Sequence, residues 1–216
     1  MSNIRVEHVR RDGSYGTRNA VAGVCDAAAS FDDGGKAAIM PADAEGEKDS
    51  RYEAAQKLIS FGELTPKNVE QLRKLNLAVF PVKYSDKFYT DLSSNPVQLY
   101  THLAYFTDIM VGAICCRVES QDGAAFKVYI MTIGVLAPYR RLGIGKQLLQ
   151  KVLEACSLQP DCVEIYLHVQ VGNDSAVDFY KGFGFEVGSI VKDYYTRLDV
   201  NDAHIISKRP PFLSTS

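Results

Sequence analysis

Tyr129-Ile130-Met131-Thr132-Ile133-Gly134-Val135-Leu136-Ala137-Pro138-Tyr139-Arg140-Arg141-Leu142-Gly143-Ile144-Gly145-Lys146-Gln147 carries a strand, a turn and a helix start in one run. Residues 126–136 are mostly β-branched, aromatic or aliphatic, the composition of a buried strand, and Pro138, lacking a backbone N–H, ends it. Beyond it, Ile144, Leu148, Leu149, Val152 and Leu153 recur at helical spacing, with Lys146, Gln147, Gln150, Lys151 and Glu154 between them. The helix is therefore amphipathic and opens on Gly143 and Gly145. Such an opening leaves several backbone N–H groups without intrahelical partners, and the helix dipole favours an anion there. With Arg140, Arg141 and Lys146 alongside, the pattern suits a diphosphate cradle; it also suits an ordinary strand-to-helix turn whose glycines relieve crowding.

Spacing separates the known phosphate loops. A Walker loop, G-x-x-x-x-G-K-[ST], requires glycine where Arg140 stands and Ser or Thr where Gln147 stands. A dinucleotide fingerprint starting at Gly143 requires glycine at Leu148. What remains is R-x-x-G-x-G, Arg140 to Gly145, directly after a strand. This arrangement resembles the acetyl-CoA loop of the GNAT N-acetyltransferases.

Composition divides the rest of the chain. Residues 1–55 hold seven Lys/Arg against ten Asp/Glu and three aromatics, a balance that buries too little apolar surface to offset ordering entropy. The expectation is a disordered extension over 1–55, a folded domain over 56–209 and a short disordered tail over 210–216. No secretory apolar core or membrane-length apolar run is present, which points to a cytoplasmic protein, with the nucleus as a second location. The formal net charge of −2, without a basic stripe, argues against nucleic acid as a direct partner. Cys25, Cys115, Cys116, Cys156 and Cys162 fit neither a zinc site nor a disulfide framework, so no metal is expected.

Periodicity supplies the elements of the folded part. A short strand is expected over 57–64, then a helix capped at Thr65-Pro66 with Val69, Leu72, Leu75 and Val79 on one face, and a second helix over 85–92 after the break Phe80-Pro81-Val82-Lys83-Tyr84. Strands over 99–106 and 109–119, joined by the two-residue turn Thr107-Asp108, lead into the strand over 126–136. Val163, Ile165, Leu167 and Val169 alternate with polar and aromatic residues, so a strand follows the amphipathic helix and lies parallel to its predecessor, with His168 at its carboxyl end. Asn173-Asp174-Ser175 caps a further helix, Gly184 suits the left-handed residue after it, and strands over 185–191 and 202–208 complete the chain. The fold class is α/β, with a mixed central sheet flanked by helices.

The likeness to GNAT enzymes extends beyond the loop. Asn173-x-x-Ala176-x-x-Phe179-Tyr180-x-x-x-Gly184-Phe185 is similar to a second GNAT signature. Phe80-Pro81-Val82, Asp86-Lys87-Phe88-Tyr89, Leu103-Ala104-Tyr105-Phe106, Tyr129-Ile130-Met131-Thr132 and Ile165-Tyr166-Leu167-His168-Val169-Gln170 resemble the San-type family of protein N-alpha-acetyltransferases, the catalytic subunits of NatE. The resemblance implies a GNAT fold with a splayed parallel pair of strands at the acetyl-CoA site. It implies acetyl transfer from acetyl-CoA to the α-amine of an N-terminal Met followed by a hydrophobic residue. Tyr129 and His168 would hold a water as general base, and Tyr180 would stand near the CoA sulfur. The resemblance assigns the cofactor to Ile133, Gly134, Val135, Arg140, Arg141, Leu142, Gly143, Ile144, Gly145, Lys146, Asn173 and Tyr180. It assigns the substrate N-terminus to Phe80, Pro81, Val82, Tyr84, Met131, Tyr194, Tyr195 and Leu198. Association with a NatA-like complex and the ribosome is also implied. Lysine or small-amine acetylation and a mainly scaffolding role are the alternatives. Ser93-Ser94-Asn95-Pro96-Val97 and the N-terminal extension depart from the family pattern, as does Gly182, where a basic residue is common.

Overall fold

The computed structural model describes residues 52–80, 83–93, 97–121, 123–195 and 200–213. Its centre is a seven-stranded sheet in the order β1-β2-β3-β4-β5-β7-β6. The strands are β1 (Ile59–Glu63), β2 (His102–Phe106), β3 (Ile109–Ser120), β4 (Phe126–Val135), β5 (Cys162–Gln170), β6 (Glu186–Val191) and β7 (Ala203–Lys208). Helices α1 (Val69–Val79) and α2 (Asp86–Leu92) lie between β1 and β2, α3 (Ile144–Ser157) joins β4 to β5, and α4 (Asp174–Lys181) joins β5 to β6. All neighbours are antiparallel except β4 and β5, which are parallel across the α3 crossover.

The two glycines in the sheet centre show how the helices are distributed. A Cβ on Gly134 would meet the Phe80 ring and Val79 at 2.8 Å, whereas a Cβ on Gly112 would meet Ile144 at 3.3 Å. Gly112 pairs with Val135, the neighbour of Gly134, and successive residues of a strand point to opposite faces. The end of α1 and the start of α3 therefore cover opposite faces. Buried Leu72 and Leu75 seat α1, and buried Leu148, Leu149, Val152 and Leu153 seat α3.

Two local irregularities place the site. From Cys115 to Cys116 β3 advances one residue while its partner moves from Thr132 to Ile130, so Met131 is an extra residue in β4, a β-bulge. The parallel ladder between β4 and β5 ends just before it, at Tyr129 opposite Tyr166, although β4 runs on to Val135 and β5 to Gln170. Beyond that point the two strands part.

Several boundaries differ from the periodicity reading. Residues 97–100 form a 3-10 turn that buries Tyr100, and β2 begins only at His102. Helix α1 starts after Asn68 instead of at Thr65-Pro66, because Asn68 accepts from the Thr65 N–H at 2.7 Å and donates to the Glu63 carbonyl at 2.9 Å, tying the turn to the end of β1. Ser85 caps α2 and Asn173 caps α4, each accepting a backbone N–H. The chain stays packed past Pro210-Pro211, with Phe212 buried. Residues 52–56 are helical. Most of the expected N-terminal extension, 1–51, lies outside the described residues, as do Pro81, Val82 and Leu198. Among the described residues, no helix is long and apolar enough to cross a membrane.

Candidate active site

The chemistry gathers where β4 and β5 separate. Tyr129 is the last β4 residue in the parallel ladder, and His168 follows two residues after its partner Tyr166, so Tyr129, Tyr166 and His168 share a face. The Tyr129 hydroxyl lies 3.3 Å from His168 Nδ1 and 3.0 Å from the Tyr194 hydroxyl. Tyr194 stacks on the imidazole, with ring centroids 4.1 Å apart at 14°, and Tyr195 meets Tyr194 edge-on at 5.0 Å. All four rings are buried.

Charges sit behind this cluster. Arg117 places its guanidinium 4.8 Å from the Tyr129 ring centroid and pairs with Glu119. Glu119 also accepts from the Tyr166 hydroxyl at 2.5 Å. Burial pulls the His168 imidazole down to about 4; Glu119 opposes this and Arg117 assists it. Burial, reinforced by Tyr194, holds the Tyr129 phenol well above its ordinary value. At neutral pH the pair is thus an uncharged imidazole beside an uncharged phenol, able to accept and pass a proton without storing charge.

A cavity of about 270 Å³ opens further along β4, lined by Ile133, Gly134 and Val135 from that strand and by the turn and first residues of α3, Arg140, Arg141, Gly143, Ile144, Gly145 and Lys146. Tyr52, Tyr139 and Phe179 complete its wall. The turn is left-handed twice, at Arg141 (φ 66°) and Gly143 (φ 71°). Glycine adopts this conformation freely, whereas the Arg141 side chain costs about 1–2 kcal/mol there. The helix's own bonding starts with the Gln147 N–H donating to the Gly143 carbonyl at 3.1 Å, so the amides from Gly143 to Lys146 are not used by the helix. Unused amides, a helix N-terminus and three cationic side chains fit a diphosphate. Arg140 also donates to the Val135 carbonyl at 3.0 Å, which fastens the turn to the end of β4 and takes up that carbonyl.

Leu142, Asn173 and Tyr180 lie outside the cavity lining. Asn173 accepts from the Ala176 N–H at 3.1 Å, and Tyr180 packs its buried ring between Phe179 and Phe185. Phe80 and Tyr84 meet edge-on at 6.0 Å, Tyr84 stacks on Phe88 at 4.5 Å, and buried Met131 sits at the bulge. The sequence reading missed Tyr52, Tyr139, Phe179, Arg117, Glu119 and Tyr166. The i, i+2 spacing of Tyr166 and His168 was a usable signal for the last of these. Tyr52 gave none, because it falls in a stretch whose composition predicts disorder.

The model of the acetyltransferase (GNAT) family matches residues 69–185. Zebrafish (Danio rerio) N-alpha-acetyltransferase 50 is 50% identical over 150 residues, which are 69% of this chain and 88% of that protein. The probable N-acetyltransferase san of Drosophila melanogaster is 44% identical over 150 residues, covering 69% of this chain and 80% of its own length. Among solved structures, Arabidopsis thaliana Naa50 in complex with the bisubstrate analogue CoA-Ac-MVNAL superposes with a TM-score of 0.65 at 48% identity, over 70% of this chain and 98% of that one. The mixed sheet with its parted parallel pair, the glycine turn and these matches lead to one conclusion: the chain belongs to the GNAT acetyltransferase family, on the Naa50 and San branch of its N-alpha-acetyltransferases.

Proposed function

We propose that this protein transfers the acetyl group of acetyl-CoA to the α-amine of protein N-termini that begin with Met and a hydrophobic residue. The observation that carries the proposal is the buried Tyr129–His168–Tyr194 cluster, set where β4 and β5 part and beside the diphosphate-type turn. The relative with the CoA-Ac-MVNAL analogue supports it, since that peptide begins Met-Val. Acetyl-CoA supplies a thioester, an acyl donor that a neutral amine attacks with formation of a C–N bond and release of the thiolate.

The chain's residues then divide the work. An α-amine titrates near ~8 and arrives largely as ammonium, so a proton must leave before attack. The Tyr129 hydroxyl is hydrogen-bonded to both the Tyr194 hydroxyl and His168 Nδ1, and the proton lost by the ammonium passes through a water to this group and on to solvent. The weakly basic imidazole relays the proton and does not retain it. Unused amides from Gly143 to Lys146, with Arg140, Arg141 and Lys146, hold the diphosphate, and the β4 edge at Ile133 and Gly134 holds the pantetheine. The Tyr180 phenol stands to protonate the leaving thiolate. Phe80, Tyr84, Met131, Tyr194 and Tyr195 wall the substrate's first two side chains, with Pro81, Val82 and Leu198 assigned to the same wall by resemblance. Docking on a NatA-like complex in the cytoplasm belongs to the same reading.

Two measurements test it. Turnover on a Met-Leu-led peptide should exceed turnover on an N-blocked lysine peptide by about ten- to a hundredfold, since apolar pockets discriminate by about 1–3 kcal/mol. Equal or reversed rates would move the protein to the lysine or small-amine reading. Because burial pulls His168 down to about 4 and leaves it neutral around pH 7, kcat/KM should rise with pH until the amine is deprotonated near ~8 and then level. An additional inflection near 6.5 would mean that His168 titrates as an ordinary imidazole and is charged for part of the working range.

A further inference from the structure

Residues 52–56 precede the part of the chain matched by the family, 69–185, yet they touch the diphosphate turn. Gln56 reaches across 86 residues to donate its side-chain amide to the Leu142 carbonyl, between the two left-handed residues Arg141 and Gly143. Its carbonyl oxygen accepts from Gln147 Nε2 at 2.9 Å, on the first turn of α3. One side chain thus clips the turn to the helix it opens. One helical turn before Gln56, Tyr52 brings its hydroxyl to 3.0 Å from the position of a Cβ on Gly143 and forms part of the cavity wall.

We infer that the helical turn 52–56 is a built part of the CoA site, in which Gln56 is a positioning residue that holds the diphosphate loop in its left-handed form and Tyr52 is a binding residue. This rests on the CoA reading of the cavity given above. The loop holds a non-glycine residue in a conformation that side chains disfavour, so an unclipped loop relaxes and its amides lose their common aim. Gln56 opposes that relaxation from outside the loop. The Tyr52 phenol, half exposed and facing the same cavity as Arg140, Arg141 and Lys146, can donate to a phosphate oxygen and shields the cations from bulk water. A wall at this place acts on the diphosphate end of the ligand and not on the acetyl end.

The test uses the full 216-residue chain with Gln56→Ala, Tyr52→Ala and Tyr52→Phe, measuring CoA binding by calorimetry and turnover with two donors, acetyl-CoA and S-acetylpantetheine, which lacks the diphosphate. Each alanine variant should weaken CoA roughly five- to tenfold, the net worth of about one ordinary hydrogen bond. KM for acetyl-CoA should rise by the same factor while kcat at saturation moves much less. Tyr52→Phe should show the hydroxyl's share of the Tyr52 effect, and activity with S-acetylpantetheine should not change. Unchanged CoA affinity in both alanine variants overturns the inference. Tighter binding does so too, because the turn would then be an obstruction, and an equal loss with both donors would reduce it to a structural support. If the wild type itself fails to bind CoA, the reading of the cavity fails instead.

Discussion

His168→Ala and Tyr129→Phe are each expected to lower kcat on a Met-Leu-led peptide by about a hundred- to a thousandfold, the range of a lost general acid–base group, while CoA affinity stays within about twofold. His168 stands 3.3 Å from the Tyr129 hydroxyl, and neither group lines the cavity proposed for CoA, so chemistry and cofactor binding should separate. In the proposed mechanism the two groups serve a single proton path. The double variant should therefore fall little further than either single one, as residues that act as a unit do. Steady-state kinetics paired with calorimetry reads both quantities. Near-normal turnover in His168→Ala would remove it from the proton path and leave Tyr129 with Tyr194 as the candidates.

The second large effect is steric. Gly134→Val puts a branched side chain where even a Cβ lies 2.8 Å from the Phe80 ring and from Val79. The crowded atoms belong to the end of α1 on one side and a central strand on the other, and neither can retreat far. Overpacking of this kind costs about 1–3 kcal/mol, which should appear as a lower urea midpoint at unchanged m. Because Phe80 is assigned to the substrate wall and Gly134 to the cofactor edge, KM should rise for both substrates. A variant with wild-type stability and kinetics would show that α1 moves more freely than its buried Leu72 and Leu75 suggest.

Much of this was readable from residue order. The alternation over 163–169 located β5 and put His168 at its end, and the apolar spacing after Gly143 located α3. The glycine spacing alone excludes two other phosphate loops. Boundaries were harder wherever a side chain competed with the backbone. Asn68 displaced the expected cap at Thr65 because its amide bonds both the turn and the end of β1, a tertiary arrangement that local propensity does not report. Residues 97–100 look like strand by composition, yet they close into a 3-10 turn that buries Tyr100. The extra residue at Met131 left no trace, since an uninterrupted apolar run reads the same with a bulge as without one. Tyr52 was hidden for the opposite reason: its surroundings are so polar that only the folded arrangement shows what it touches.

The extra residue at Met131 also governs when the active cleft comes into being. With β4 in unbroken register, Tyr129 and Val135 would face the same way; the added residue turns 132–135 over, so Thr132 and Gly134 follow Tyr129 onto its face. The gap between β4 and β5 is consequently written into main-chain hydrogen bonding and is completed when the sheet forms. An arriving acyl donor meets a shape that already exists, so little backbone freedom is left to lose on association, and affinity rests on contacts instead of on remodelling.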